Sequence, residues 1–180
     1  ISAEQDMARS LLYRLQQAVR NIWHSVQKSD FSFLEAAFEK LFQFDRFCRH
    51  RKLDLYVIPT VRNVTREADA LLEQLEALRE SGLATLRTAR ERLVAAFDGG
   101  NVRTHEAIHA METFVGNMQT KLAREESELF PLLRRLLSVE DWFSIAAQFL
   151  ADDAGSRNRE RQPRAVRREA SMALGRSTVN

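Results

Sequence analysis

Two stretches of this 180-residue chain place reactive side chains at spacings suited to chemistry. One is Lys121-Leu-Ala-Arg-Glu125-Glu-Ser-Glu-Leu-Phe-Pro131. A lysine and a glutamate four residues apart share a helical face. A charged ammonium has three donors and no lone pair for a metal, so the pair favours ion pairing over coordination. The other is His105-Glu106-Ala-Ile-His109, the spacing in which two imidazoles hold zinc and the glutamate acts as base. Three features weigh against zinc hydrolysis. The motif follows a Gly99-Gly100 stop, in the first turn of an expected helix. No strand pattern is available to hold an extended substrate. The acids Glu125, Glu126 and Glu128 ride the same helix, ~24 Å or more away at about 1.5 Å per residue. An exposed histidine pair is the plainer reading, with an adventitious surface metal on His105 and His109 the next. Cys48 lies near Arg46, Arg49 and Arg51, which would favour a thiolate if it were exposed. A buried packing thiol is the expectation, because free cysteines are usually buried.

The elements that must position these groups read as helices. Leu12, Leu15, Val19, Ile22 and Val26 form one apolar stripe, which predicts a helix from about Ala3 to Lys28. Ser29-Asp30 breaks it and caps the next. Phe38, Leu41, Phe42 and Phe44 give the second helix, about Ser32 to Val57, an aromatic face, and Pro59 ends it. The third runs from near Thr65 to Phe97 on Leu71, Leu75, Leu78, Leu86 and Leu93. The fourth runs from near Thr104 to Leu137, with a kink at Pro131 and an inward stripe of Met111, Phe114, Met118, Lys121, Glu125 and Leu132. Ser138-Val-Glu-Asp141 reads as a capping box that opens a short fifth helix through Leu150. A last short helix could occupy Arg164 to Leu174. Long helices with short connections predict an all-α, up-down four-helix bundle over residues 1–155, followed by a basic tail over 156–180.

The totals narrow the function classes. Hydrophobic residues make up 44% and charged residues 29% of the chain, with 6 Gly and 3 Pro, a helical and soluble composition. No apolar run approaches the roughly 18 residues of a membrane span. A single cysteine fits a reducing compartment, so a cytoplasmic location is expected. The net charge of +2 is uneven: seven arginines and two glutamates give residues 156–180 a charge of +5, leaving −3 on the rest. Such a tail is more often solvated than bound to nucleic acid.

The Lys121–Pro131 stretch closely resembles the last-helix pattern of hemerythrin-like (HHE, cation-binding) domains: a His, three residues, Glu-Glu, an apolar pair and Phe-Pro. Arg20-Asn-Ile22 resembles the family's first-helix His-Arg-Asn-Ile. Asp45-Arg-Phe47 with Lys52-Leu-Asp54-Leu resembles its second-helix stretch, which ends in His-His-x-Lys-Glu-Asp. Ser138 to Trp142, with Ile145 to Phe149 and Asp152-Asp153, resembles the short segment after the bundle in bacterial members. The resemblance spans most of Met7 to Gly155. It implies a bundle in which inward His and Glu residues hold two iron ions. Carried over, the first-helix His falls on Val19, and the second-helix His and Glu fall on Arg49 and Leu53, with His50 one residue out of phase. The third-helix His falls near Arg79, Ser81 or Gly82, and the fourth-helix His falls on Lys121. Only Glu125 remains, and one carboxylate cannot assemble a di-iron centre, so no metal or other cofactor is expected.

Two arrangements of that degenerate site follow. In one, Arg49, Lys121 and Glu125 form a buried ion cluster with Arg79 at the same level, because an unpaired buried charge costs several kcal/mol. In the other, Lys121 reaches out to solvent and apolar groups fill the slot. The functional expectation is a non-enzymatic regulatory or adaptor protein that binds another protein through its helical faces, as an antiactivator restraining a transcription regulator would. The alternative is a cation-binding, iron-dependent or oxygen-related sensor. It needs His50, Asp54, His105, His109 and Glu125 to converge, yet the helical spacing sets His105 and Glu125 near opposite ends of a bundle.

Overall fold

The computed structural model of the protein describes residues 1–24, 31–98, 104–152 and 154. These residues are almost entirely helical and include no strand. They divide into two units, Ile1–Leu137 and Ser138–Asn180. No helix among the described residues is long and apolar enough to cross a membrane.

In the first unit the chain forms α1 (Ser2–His24), α2 (Phe31–Arg49), α3 (Ile58–Val64), α4 (Asp69–Asp98), α5 (Thr104–Arg124) and α6 (Phe130–Leu136). Each long helix buries one stripe. On α1 it is Gln5, Ala8, Leu12, Val19 and Ile22, and on α2 it is Leu34, Phe38, Leu41, Phe44 and Cys48. On α4 the stripe is Leu72, Leu75, Leu83, Leu86 and Leu93, one residue on from the Leu71 of the expected pattern at its start. The most extensive packing is between α4 and α5; α1 lies on α5 and α2, and α2 also meets α4 and α5. Phe38, Phe114, Leu34, Leu41, Leu83 and Met111 are at most 1% exposed and anchor the shared core. Each such side chain contributes about 1.5–3 kcal/mol by leaving water.

Two prolines set the phase of the chain near the site. The second helix stops at Arg49, not Val57. His50 N–H then donates to the Phe47 carbonyl and Arg51 N–H to the Cys48 carbonyl, each three residues back, which makes a tight turn. A wide π turn follows over Leu53–Val57, closed by Ile58 N–H donating five residues back to the Leu53 carbonyl. Pro59 sits at the start of α3. Its ring lacks an N–H and collides with the carbonyl four residues back in a regular helix, and a wider preceding turn relieves both problems. The pattern repeats at the end of α5. A π turn spans Glu125–Leu129, Phe130 N–H donates to the Glu125 carbonyl, and Pro131 opens α6. The expected kink at Pro131 is this turn.

The π turns change which residues face inward. Buried positions step by four, as Leu53, Val57 and Val61 in one place and Glu125, Leu129 and Leu133 in the other. Leu133 therefore takes the inward place expected for Leu132, which is only partly buried. The third long helix starts at Asp69 and not near Thr65, because Thr65 ends α3 in an extended conformation and its hydroxyl accepts from Glu67 N–H at 3.1 Å.

In the second unit a helix covers 139–152. Its capping box forms as the sequence requires: Asp141 N–H donates to Ser138 Oγ at 3.1 Å, and Ser138 N–H donates to Asp141 Oδ2 at 2.9 Å. The expected boundary at Ser29-Asp30, the Asp98–Asn101 stop beyond Asp98, the Arg164–Leu174 helix and the basic tail over 156–180 lie outside the described residues.

Two glycines separate close packing from helix propensity. A Cβ on Gly82 of α4 would lie 3.2 Å from the Phe114 Cα on α5, whereas one on Gly116 would meet nothing within 4 Å. Urea denaturation of Gly116→Ala is expected to show a gain of about 0.5–1 kcal/mol. Gly82→Val forces α4 and α5 apart and is expected to lose about 1–3 kcal/mol.

Candidate functional site

The polar heart of the first unit is built on Glu125, which opens the π turn after α5 and is 0% exposed. Lys121 lies one turn earlier on α5 and is also buried. Its ammonium pairs with Glu125 Oε1 and stands 4.0 Å from Asp54 Oδ1. The second cation is Arg51, 1% exposed. Its Nη1 donates to Glu125 Oε2 at 2.9 Å and to Gln5 Oε1 at 2.8 Å. Its Nη2 donates to Glu125 Oε1 and to Asp54 Oδ2, both at 2.9 Å. Its Nε is shared between the Cys48 carbonyl at 3.2 Å and Asp54 Oδ2 at 3.1 Å. The guanidinium's fork of donors is thus fully engaged. Gln5 Nε2 donates at 3.2 Å to both Glu125 Oε2 and the Leu122 carbonyl. Each Glu125 oxygen accepts two bonds and keeps no lone pair free.

Opposed forces set the protonation of these groups. Burial alone would raise the Glu125 pKa, but the Arg51 hydrogen bonds and the charges of Lys121 and Arg51 hold it below the ordinary carboxylate range. For Asp54 burial prevails over the charges of Arg51 and Lys121, and its carboxyl is pushed up. Arg51 is held charged more firmly than usual, because its bonds to Glu125 outweigh its own desolvation. Cys48 is buried and its thiol is pushed up to about 12, chiefly by desolvation, so the neighbouring arginines do not make it a thiolate.

The expected residues separate into two groups. Lys121 and Glu125 meet in the core. Arg49 does not join them: it is exposed, and Arg51 holds the place expected for it. The reason is helical phase. Arg51 lies three residues beyond buried Cys48, while Arg49 lies about 100° away around the helix. Arg79 is buried on α4 in a separate set, donating to Asp45 Oδ1 at 2.7 Å, Glu76 Oε1 at 2.5 Å and Glu80 Oε1 at 2.6 Å. Val19 is 3% exposed in the apolar core, and Leu53 is 1% exposed at the head of the first π turn. His50 is exposed with Nδ1 2.7 Å from the Arg46 carbonyl, and His105 and His109 are exposed. Ser81 is exposed and Gly82 buried against α5, so no imidazole stands at the third-helix position.

Arg51, Asp54 and Gln5 complete a network that the family-derived positions do not include. A signal for two of them was present. Arg51 continues the Leu41, Phe44, Cys48 face of α2, and Gln5 stands three residues before Ala8 on the α1 stripe.

The network fits no metal. Its two carboxylates already face two cations, and a metal at Glu125 would leave Arg51 and Lys121 without their main partner. Among the described residues no group of three or more His, Cys, Asp or Glu side chains is placed to hold a metal ion. Lys121 and Glu125 border a cleft of about 560 Å³ with Asp54, Arg62, Asn63 and Leu72. No protein-family model, no curated protein and no solved structure matches the chain.

Arg51→Met leaves Glu125 buried with half its partners gone and is expected to lose about 3–5 kcal/mol in urea denaturation. The pH dependence has a definite sign. Glu125 has a depressed folded pKa, so its stabilisation is present above the ordinary carboxylate range and fades as pH falls through the folded value. The stability gap between the wild type and Glu125→Gln is therefore expected to be full at about pH 7 and to narrow below about pH 4.3. Asp54, shifted the other way, gives stability below its ordinary pKa that is lost as pH rises. Asp54→Asn is thus expected to cost less than Glu125→Gln at neutral pH.

Proposed function

We propose that this chain is a non-enzymatic regulatory or adaptor protein on a metal-free, hemerythrin-like up-down four-helix bundle, and that it acts by binding another protein. One observation carries the reading. Glu125, the sole family-like ligand, has both oxygens taken by Arg51, Lys121 and Gln5. Protein cations occupy the place where the resemblance puts iron. A metal arriving there would have to displace two buried cations from their main shared carboxylate, breaking buried ion pairs at a cost of several kcal/mol and leaving Asp54 as the one acid for both.

Glu125 and Cys48 are unsuited to act as a base or a nucleophile. A general base needs a free lone pair and a pKa near the working pH. Glu125 has neither, and Cys48 is buried as a thiol. What the scaffold retains is long helical surface, the natural material for helix-face or helix-in-groove recognition. Met7, Tyr13, Phe33 and Leu55 are large apolar side chains at least 43% exposed in the first unit. An antiactivator that restrains a transcription regulator is the partner relationship we favour.

Protein purified from cells supplied with iron and zinc is expected to carry far less than one iron per chain and to lack oxo-bridged iron absorption. About two irons per chain, the family's complement, would overturn the reading. Affinity capture with the full chain from its native host is expected to return one partner in stoichiometric amount.

A further inference from the structure

The four long helices do not pack equally. The α1–α2 pairing is less extensive than α4–α5 or α1–α5, though more extensive than α2 makes with α4 or α5. Between α1 and α2 runs a groove of about 420 Å³. Its walls are Leu11 and Leu15 from α1 and Phe44 and Phe47 from α2, with Arg14 and Lys40 also lining it. Phe44 is buried and forms part of the core, while Leu11, Leu15 and Phe47 are only partly buried. Apolar side chains of both helices thus line an open trough.

We infer that this groove is the docking site of the proposed partner, and that it receives an amphipathic helix whose apolar face is flanked by acidic residues. The inference rests on the adaptor reading and names its surface. Three observations carry it. First, the lining recurs at 11, 15 and 18 on α1 and at 40, 43, 44 and 47 on α2. Each wall is therefore about two helical turns long, matching the i, i+3, i+4, i+7 anchors of a docked helix. Second, the charged residues of the lining are both cations, and no acid is among them. Third, those cations are free to act. Arg14 and Lys40 are exposed and have no ion-pair partner among the described residues, and the adjacent acid Glu39 is held by Arg46 at 2.7 Å and Gln43 at 3.3 Å. Two copies meeting groove to groove would oppose Arg14 and Lys40 with themselves, so a self-complementary dimer is disfavoured.

The test uses the full chain and a fluorescent helical peptide carrying Leu and Phe at i, i+3, i+4 and i+7 with flanking glutamates. Saturable binding is expected, weakening as salt rises. The Arg14→Glu/Lys40→Glu variant, both sites being exposed, is expected to melt like the wild type yet bind the peptide about ten-fold or more weakly. A lysine-flanked peptide is expected to prefer that variant. Failure of both peptides to bind, equal binding of both by both proteins, or groove-dependent self-association in sedimentation would overturn the docking site. A photo-crosslinker at Phe47 and, separately, at exposed Thr120 on α5 divides the two claims. Capture at Phe47 through an acid-flanked helical segment supports the groove. Capture at Thr120 alone overturns the groove and leaves the adaptor reading standing. Capture at neither site overturns the groove, and the adaptor reading then falls if affinity capture with the full chain also returns no stoichiometric partner.

Discussion

A carboxylate taken wholly out of water is the constraint on which the first unit depends. Glu125 is 0% exposed, and a bare buried carboxylate is prohibitively costly at neutral pH. The cost is offset only if cations and donors reach it from several directions at fixed geometry. They come from three separate parts of the chain: Gln5 from α1, Arg51 from the turn after α2, and Lys121 from α5. The helices are therefore tied at this level by charge as well as by apolar packing. Arg51 suits the central place better than a lysine would, since its planar fork binds both Glu125 oxygens while still reaching Asp54 and Gln5. Lys121 is a point charge with one strong partner and tolerates its position at the edge of the cleft.

The two proline-linked π turns supply that geometry. In both, a residue at the head of the turn is buried, the chain widens, and a proline starts a seven-residue helix. Leu53 heads one turn and Glu125 the other, so one backbone device is used twice, once with an apolar side chain and once with a charge. The asymmetry puts Glu125 at the centre, bonded to both cations, while Asp54 pairs mainly with Arg51. A second acid at the Leu53 position would need cations of its own, and the tight turn from Phe47 to Arg51 brings one guanidinium to this level.

How much of this could be read beforehand follows from helical phase. The all-helical class was legible, because stripes of leucine and phenylalanine repeat at three and four over long runs. The Lys121–Glu125 pair was legible too, because an i, i+4 pair stays on one face whatever happens downstream. Arg51 was not reached by carrying over family spacing, since that spacing assumes an uninterrupted helix from 49 to 53 and the chain breaks there. The alternation of buried residues on α2 pointed to it independently. Leu133 in place of Leu132 is the same lesson at the other turn: Pro131 marks a break in the helix, but periodicity assumes a regular helix and misses the residue that the π turn adds. Arg79 came to Asp45 and not to Glu125, which spacing alone could not decide, because the partner is set by the packing of α2 against α4.

An ion network of protein cations also has consequences that a metal centre would not. Bound metal stabilises a fold by mass action, so the protein's rigidity would follow metal supply. Arg51 and Lys121 are covalently part of the chain and always present. Arg51 is also held charged at any pH a cell reaches. Glu125 is therefore held by side chains of the chain itself. Packing is not spread evenly, however. The most extensive helix packing is along α4 and α5, while α1 and α2 meet less extensively beside the groove lined by Leu11, Leu15, Phe44 and Phe47. A helix that docked between α1 and α2 would gain apolar contact there without touching the network. The network would keep the two walls anchored near one end, through Gln5 on α1 and the turn that follows α2. For such a helix an anchored end and an open trough would be preorganised, leaving little ordering to be lost on binding.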